Sequence, residues 1–131
     1  MFLNKLEDNE KNAFLTIAHH IARSDGDFSE SERNVISTYC LEMQIEDVNY
    51  NKNSFKLDAA LEEIKSEENQ KIVLLEIMAL IYSDGLHEAE QNILNIITDK
   101  FNINRSLAVV YAEWSKAILS IANQGQALIK L

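Results

Sequence analysis

The chain contains no proline and only three glycines among its 131 residues. These two residue types mark most turns and flexible linkers, and no tract rich in serine and glycine takes their place. We therefore find no position at which the chain divides, and we expect a single domain over residues 1–131. With 47% hydrophobic residues, a chain of this length can bury one sizeable core.

Cysteine and long apolar runs are also scarce. Cys40 is the only cysteine, which excludes an intramolecular disulfide, and its helical register with Ile36 and Met43 predicts a buried structural thiol. The N-terminal region has no apolar run of signal-peptide length. The longest apolar stretch, 72–82, contains a glutamate and is about half as long as a membrane-spanning helix. We expect a protein of the reducing cytoplasm without direct membrane insertion.

Positive charge is the third scarce feature. The chain has 12 Lys and Arg against 21 Asp and Glu, which gives a net charge of −9. Such a surface repels phosphate backbones and anionic membranes, so we expect no nucleic-acid partner. The negative charge is concentrated in the first hundred residues, where nine basic side chains face twenty acidic ones, a net charge of −11. The last helix of the chain is mildly basic.

Signatures of catalysis are missing as well. The sequence has no glycine-rich phosphate loop, no Gly-x-Ser-x-Gly and no His-Glu-x-x-His, and its only histidines are His19, His20 and His87. We therefore expect neither an enzyme nor a structural zinc site. His19 and His20 fall in the last turns of the first predicted helix, where the helix dipole favours a positive charge, and we interpret them as surface or capping residues.

One acidic residue interrupts the most apolar stretch. Glu76 lines up with Asn69 and Ser83 at intervals of seven residues, which predicts a narrow solvent-facing stripe on an otherwise buried helix. The alternative is a buried acid with a raised pKa. The rest of 72–82 is apolar almost all round, and we expect it to be the central helix of the fold.

The most informative feature is a motif that occurs twice. Residues 24–32 read SDGDFSESE, and residues 83–90 read SDGLHEAE. In both copies an apolar helical pattern ends at Ser-Asp-Gly, an acidic loop follows, and a glutamate opens the next helix. This arrangement predicts two related helix–loop–helix units, at about 9–44 and 67–101, with the second loop one residue shorter.

Every segment of the chain shows a helical period, which predicts an all-α fold of about six to seven helices. Ser29 with Glu32 has the spacing of a capping box, and Ser66 and Asn104 are further N-cap candidates. Residues 45–54 are asparagine-rich and predict a loop. A last helix, at about 104–124, frays near Gly125 and has a set of apolar residues that predicts core or interface: Leu107, Val110, Tyr111, Trp114, Ile118 and Ile121.

The doubled motif resembles the tellurite-resistance TerB family and its wider TerB-like superfamily. The resemblance rests on IARSDG at 21–26, with Phe28 and Glu32, and on ALIYSDG at 79–85 with Glu90. It implies a compact all-helical domain of stress-response and membrane-linked assemblies, with loop acids that bind a divalent cation. Carried onto this chain, the implied ligands are Asp25, Asp27, Glu32, Asp84 and Glu90, and His87 could add a nitrogen.

Oxygen ligands of this kind suit Ca²⁺ or Mg²⁺. The same oxygens also fit a purely structural interpretation, in which Asp25 and Asp84 organise turns while Glu32 and Glu90 complete capping boxes. We therefore expect a non-catalytic TerB-like module linked to stress responses, with a metal-independent protein-interaction scaffold as the alternative. We expect a protein partner, and the sequence leaves open whether that partner is a second copy of this chain. An exposed apolar patch near Tyr111 and Trp114 would favour the scaffold.

Overall fold

The computed structural model describes residues 1–83 and 88–131, and every regular element within these ranges is helical. A short 3-10 turn, Leu3–Lys5, precedes six α-helices. The all-α prediction is confirmed. The helices are α1 (Asp8–Ala22), α2 (Glu30–Met43), α3 (Leu57–Glu62), α4 (Glu67–Tyr82), α5 (Glu88–Lys100) and α6 (Arg105–Ile129).

The predicted helix starts are confirmed at three positions. The Ser29 hydroxyl accepts a hydrogen bond from the Glu32 N–H at 3.1 Å, and the Glu32 carboxylate accepts one from the Ser29 N–H at 3.1 Å. The Ser66 hydroxyl caps α4, and the Asn104 side-chain oxygen caps α6 through the Ser106 N–H at 2.7 Å. These caps satisfy backbone donors that a helix leaves unpaired in its first turn.

Helix α4 is the centre of the molecule. It packs against α1, α2, α5 and α6 and against the N-terminal turn. Helix α4 belongs to the second of the two predicted hairpins and also contacts both helices of the first, so it is central to both. Seven of its apolar residues are almost completely buried: Ile72, Val73, Leu74, Ile77, Met78, Leu80 and Ile81. The prediction of a central helix at 72–82 is confirmed.

Glu76 is buried, and the predicted solvent-facing stripe is wrong at this position. The residue is 7% exposed, and its Oε1 accepts hydrogen bonds from the Met1 ammonium and the Phe2 N–H, both at 2.9 Å. The ammonium group also lies 2.7 Å from a Glu42 carboxylate oxygen. The N-terminal segment therefore covers the stripe and supplies the charge that a buried carboxylate needs.

Only the first half of α6 docks on the domain. Leu107, Ala108, Tyr111 and Ala112 pack against the core, and Ser115 is buried. The Lys116 ammonium lies 5.0 Å from the centre of the Tyr82 ring, and most residues after it are exposed. The helix does not end near Gly125 as predicted, because it continues to Ile129.

None of the helices in the described ranges combines the length and the apolar character that crossing a membrane requires.

The contact between Met1 and Glu76 predicts a pH dependence of stability. Burial lowers the pKa of the Met1 ammonium, but the hydrogen bonds and charges of Glu42 and Glu76 outweigh it and raise the pKa above 8.0. Because the folded-state pKa is raised, this stabilisation is complete below pH 8 and is lost as the pH rises through the folded value.

We expect Glu76→Gln to weaken this loss of stability above pH 8, since the neutral side chain keeps an acceptor but removes one charge. The measurement is the free energy of unfolding in urea between pH 6 and pH 10. Glu46→Gln, at an exposed position, is the matched control and should follow the wild-type curve. Identical curves for Glu76→Gln and wild type would contradict the assignment.

Candidate functional site

The first Asp-Gly loop begins where α1 ends. Arg23 caps the helix, and the Gly26 N–H donates to the Arg23 carbonyl at 3.1 Å. Gly26 has φ +84°, a conformation that residues with a Cβ rarely adopt. Gly26 therefore makes the left-handed turn after α1, four residues beyond Ala22.

The Asp25 side chain holds the turn of this loop. The Asp25 Oδ1 accepts a hydrogen bond from the Asp27 N–H at 3.0 Å, which is an Asx turn. Both side chains are exposed. The geometry at Asp25 fits the structural interpretation, because one carboxylate oxygen already accepts from the backbone.

Glu32 points into the fold instead of into solvent. It is 2% exposed, and its Oε1 also accepts from the Ser29 hydroxyl at 3.0 Å. Glu90, its counterpart in the second unit, is 1% exposed. The repeat therefore preserves a buried glutamate at the start of each second helix. Asp84 and His87 lie outside the described residues.

Within 1–83 and 88–131, no group of three or more His, Cys, Asp or Glu side chains is placed to hold a metal ion. Asp25 and Asp27 stay at the surface while Glu32 is buried at the Ser29 cap. Since the second loop contributes Asp84 from outside the described part, the divalent-cation site stays a prediction.

A cavity of about 470 Å³ opens beside the first loop. Two cations, Arg23 and Lys52, and two aromatic rings, Phe28 and Tyr50, are among its lining residues. The Arg23 guanidinium lies 4.4 Å from the Phe28 ring centre and 5.6 Å from that of Tyr50. These cation–π contacts tie the end of α1 to the asparagine-rich segment after α2. Sequence reasoning missed this cluster, because Tyr50 is distant in sequence and has no helical period.

The two neighbouring histidines have different environments. His19 is buried, and its Nε2 lies 2.8 Å from an Asp47 carboxylate oxygen. The prediction of a surface or capping role for His19 is therefore wrong, because the segment after α2 folds back over it. The His20 Nδ1 lies 3.0 Å from the Tyr50 hydroxyl, and burial lowers the pKa of His20, which favours a neutral ring at pH 7.

Cys40 is half-buried. Burial, followed by the nearby Asp47 charge, raises the pKa of its thiol. A raised pKa keeps the group protonated, which disfavours a nucleophilic role. This environment agrees with the structural thiol that the helical register predicts, although the side chain is less deeply buried than expected.

An exposed apolar surface lies on α6. Four of its side chains face solvent along one line: Val110 is 59% exposed, Trp114 37%, Ile121 62% and Leu128 67%. With Ala117 and Gln124, which are also exposed, they form what we call the α6 stripe. Trp114 touches the domain through Phe2, whose ring centre is 6.2 Å away. An apolar patch is therefore present at the place where the sequence indicates that a scaffold would have one.

Comparisons with known proteins return no match: no family model, no curated protein and no solved structure corresponds to this chain. The TerB resemblance therefore stays a prediction from the doubled motif.

A double variant, Asp25→Asn/Asp84→Asn, tests whether the loop aspartates bind a cation or only organise turns. The change at position 25 keeps a side-chain oxygen that can accept from the Asp27 N–H and removes only the charge, so the melting temperature without cation should stay close to wild type. Isothermal titration of chelator-stripped protein with Ca²⁺ and Mg²⁺ at physiological salt should then give saturable heats for wild type that the variant loses. Heats that are absent, or equal in both proteins, would contradict a cation site.

Proposed function

We propose that this chain is a non-catalytic helical interaction module of the TerB-like type, linked to stress responses, that binds an amphipathic helix of another chain along the α6 stripe. The observation that carries this proposal is the α6 stripe itself. Exposed apolar side chains are ordinary when isolated, but several of them aligned on one face of a helix are typical of a binding surface.

The spacing of the stripe supports a helical partner. Its members Val110, Trp114, Ala117, Ile121, Gln124 and Leu128 are separated by alternating steps of four and three residues. This is the spacing of the seam between two helices that pack with a heptad repeat. A helix laid along α6 would meet an apolar or small side chain at five of the six positions.

A partner would also stabilise the helical form of the outer half of α6, the segment after Lys116. After Lys116 the helix continues to Ile129 with most residues exposed. Helical segments shorter than about 12–15 residues are marginal in water when nothing packs against them. A partner that covers the stripe would remove apolar surface from water, at roughly 25 cal/mol per Å², and hold this segment in its helical form.

The chemistry of the buried groups supports a non-catalytic role. The Cys40 thiol has a raised pKa, and His19 is only 4% exposed, so neither presents an activated group to a substrate in solvent. The cation site predicted at the Asp-Gly loops is a separate property, because these loops and the α6 stripe share no residue.

The proposal is tested by photo-crosslinking in living cells, with a photoreactive amino acid in place of Ile121. We expect a covalent adduct of defined mass, since this side chain lies in the stripe and is mostly exposed. The matched control places the same group at Gln126, which is exposed on the opposite side of the same helix. Adducts of the same mass and yield from both positions would contradict a specific surface.

A further inference from the structure

We propose that the occupant of the α6 stripe is a second copy of this chain, packed antiparallel along α6. This inference rests on the proposed function and names its partner. It follows from three properties of the stripe: its spacing, the sizes of its side chains and the distribution of charge around it.

The spacing of the stripe is the same in both directions. The intervals from Val110 to Leu128 are four, three, four, three and four residues. When a second copy is reversed, Val110 therefore meets Leu128, Trp114 meets Gln124 and Ala117 meets Ile121. Two-fold symmetry repeats each of these three pairs, so six layers form from one surface.

The paired side chains complement one another in size. Ile121 would face Ala117, and Trp114 would face Gln124, so that a large side chain opposes a smaller one in these layers, as close helix packing requires. Gln124 can also accept a hydrogen bond from the indole N–H of Trp114, which a buried tryptophan needs. In a parallel pair, each residue would face its own copy, so Trp114 would meet Trp114 and leave Ala117 opposite Ala117.

Charge favours the same orientation. The positions beside the seam are Tyr111, Glu113, Ile118, Ser120, Gly125 and Ala127, so Glu113 is the single charged residue among them. The first hundred residues have a net charge of −11. In an antiparallel pair, Val110 of one copy would lie roughly 27 Å along the helix axis from Val110 of the other, at 1.5 Å per helical residue. The two acidic domains would then lie at opposite ends of the seam, and the Debye length is only about 8 Å at physiological salt. A parallel pair would place them side by side.

The size of the surface predicts a weak, reversible dimer. The exposed parts of the stripe and its flanks amount to on the order of 500 Å² per copy, against about 800 Å² in a standard interface. We therefore expect a dissociation constant in the micromolar range, with free monomer at low concentration.

Sedimentation velocity of the full chain from about 5 to 500 μM tests this inference. Wild type should shift from a 14.9 kDa monomer to a dimer over this range. Ile121→Glu should weaken the dimer at least about tenfold, because it would bury an unpaired charge. Gln126→Glu adds the same charge on the opposite face of the helix and should dimerise like wild type.

A mixture of two variants tests the antiparallel register. Ile121→Glu and Ala117→Lys should each dimerise more weakly than wild type when alone, and their mixture should form a tighter heterodimer, because residue 121 of one copy faces residue 117 of the other and the two charges are opposite. Failure of the mixture to associate, while wild type dimerises, would overturn the register.

Wild type that stays monomeric up to 500 μM would overturn self-pairing. If Ile121 still crosslinks to a different protein in cells, the proposed function stands and only its partner is wrong. If monomeric wild type co-sediments with neutral phosphatidylcholine vesicles and Ile121→Glu does not, self-pairing is overturned and the stripe binds a lipid surface. An Ile121→Glu variant that dimerises as strongly as wild type would also overturn self-pairing along the stripe.

Discussion

The fold depends on one constraint, which is that α4 must be covered on every side. Its residues from Ile72 to Ile81 are apolar almost all round, and such a helix is stable only when neighbours remove it from water. Helices α1, α2, α5 and α6 and the N-terminal turn provide this cover. The polar exception, Glu76, is matched by the Met1 ammonium, and the Tyr39 hydroxyl donates to the carbonyl of the same residue at 2.6 Å.

Each copy of the duplicated motif lies at the corner between the two helices of one hairpin. In the first copy the Asx turn at Asp25 and the capping box of Ser29 and Glu32 reverse the chain and start α2. In the second copy Glu90 is also buried near the start of α5. Acidic residues of the motif thus have structural roles in the described loop, whether or not a cation is also bound there.

The features that sequence predicts well here are local. Caps at Ser29, Ser66 and Asn104 need only residues two or three positions away, and the left-handed Gly26 needs only its own backbone. The predictions that are wrong depend on contacts between residues far apart in the sequence. His19 is buried by Asp47, 28 residues later, and Glu76 is covered by Phe2, 74 residues earlier. Helix α6 is apolar on two sides, so its period cannot tell which side docks on α4 and which side forms the stripe.

On these proposals α6 has two partners: the domain, which covers one side of residues 107–115, and another chain, which covers the α6 stripe. Amide hydrogen exchange along α6, measured at low and high protein concentration, tests this claim most directly. We expect residues 107–115 to be protected at both concentrations, while residues 117–129 exchange rapidly in dilute protein and become protected as the concentration rises. Equal protection of both halves in dilute protein, or no change with concentration in the second half, would contradict it.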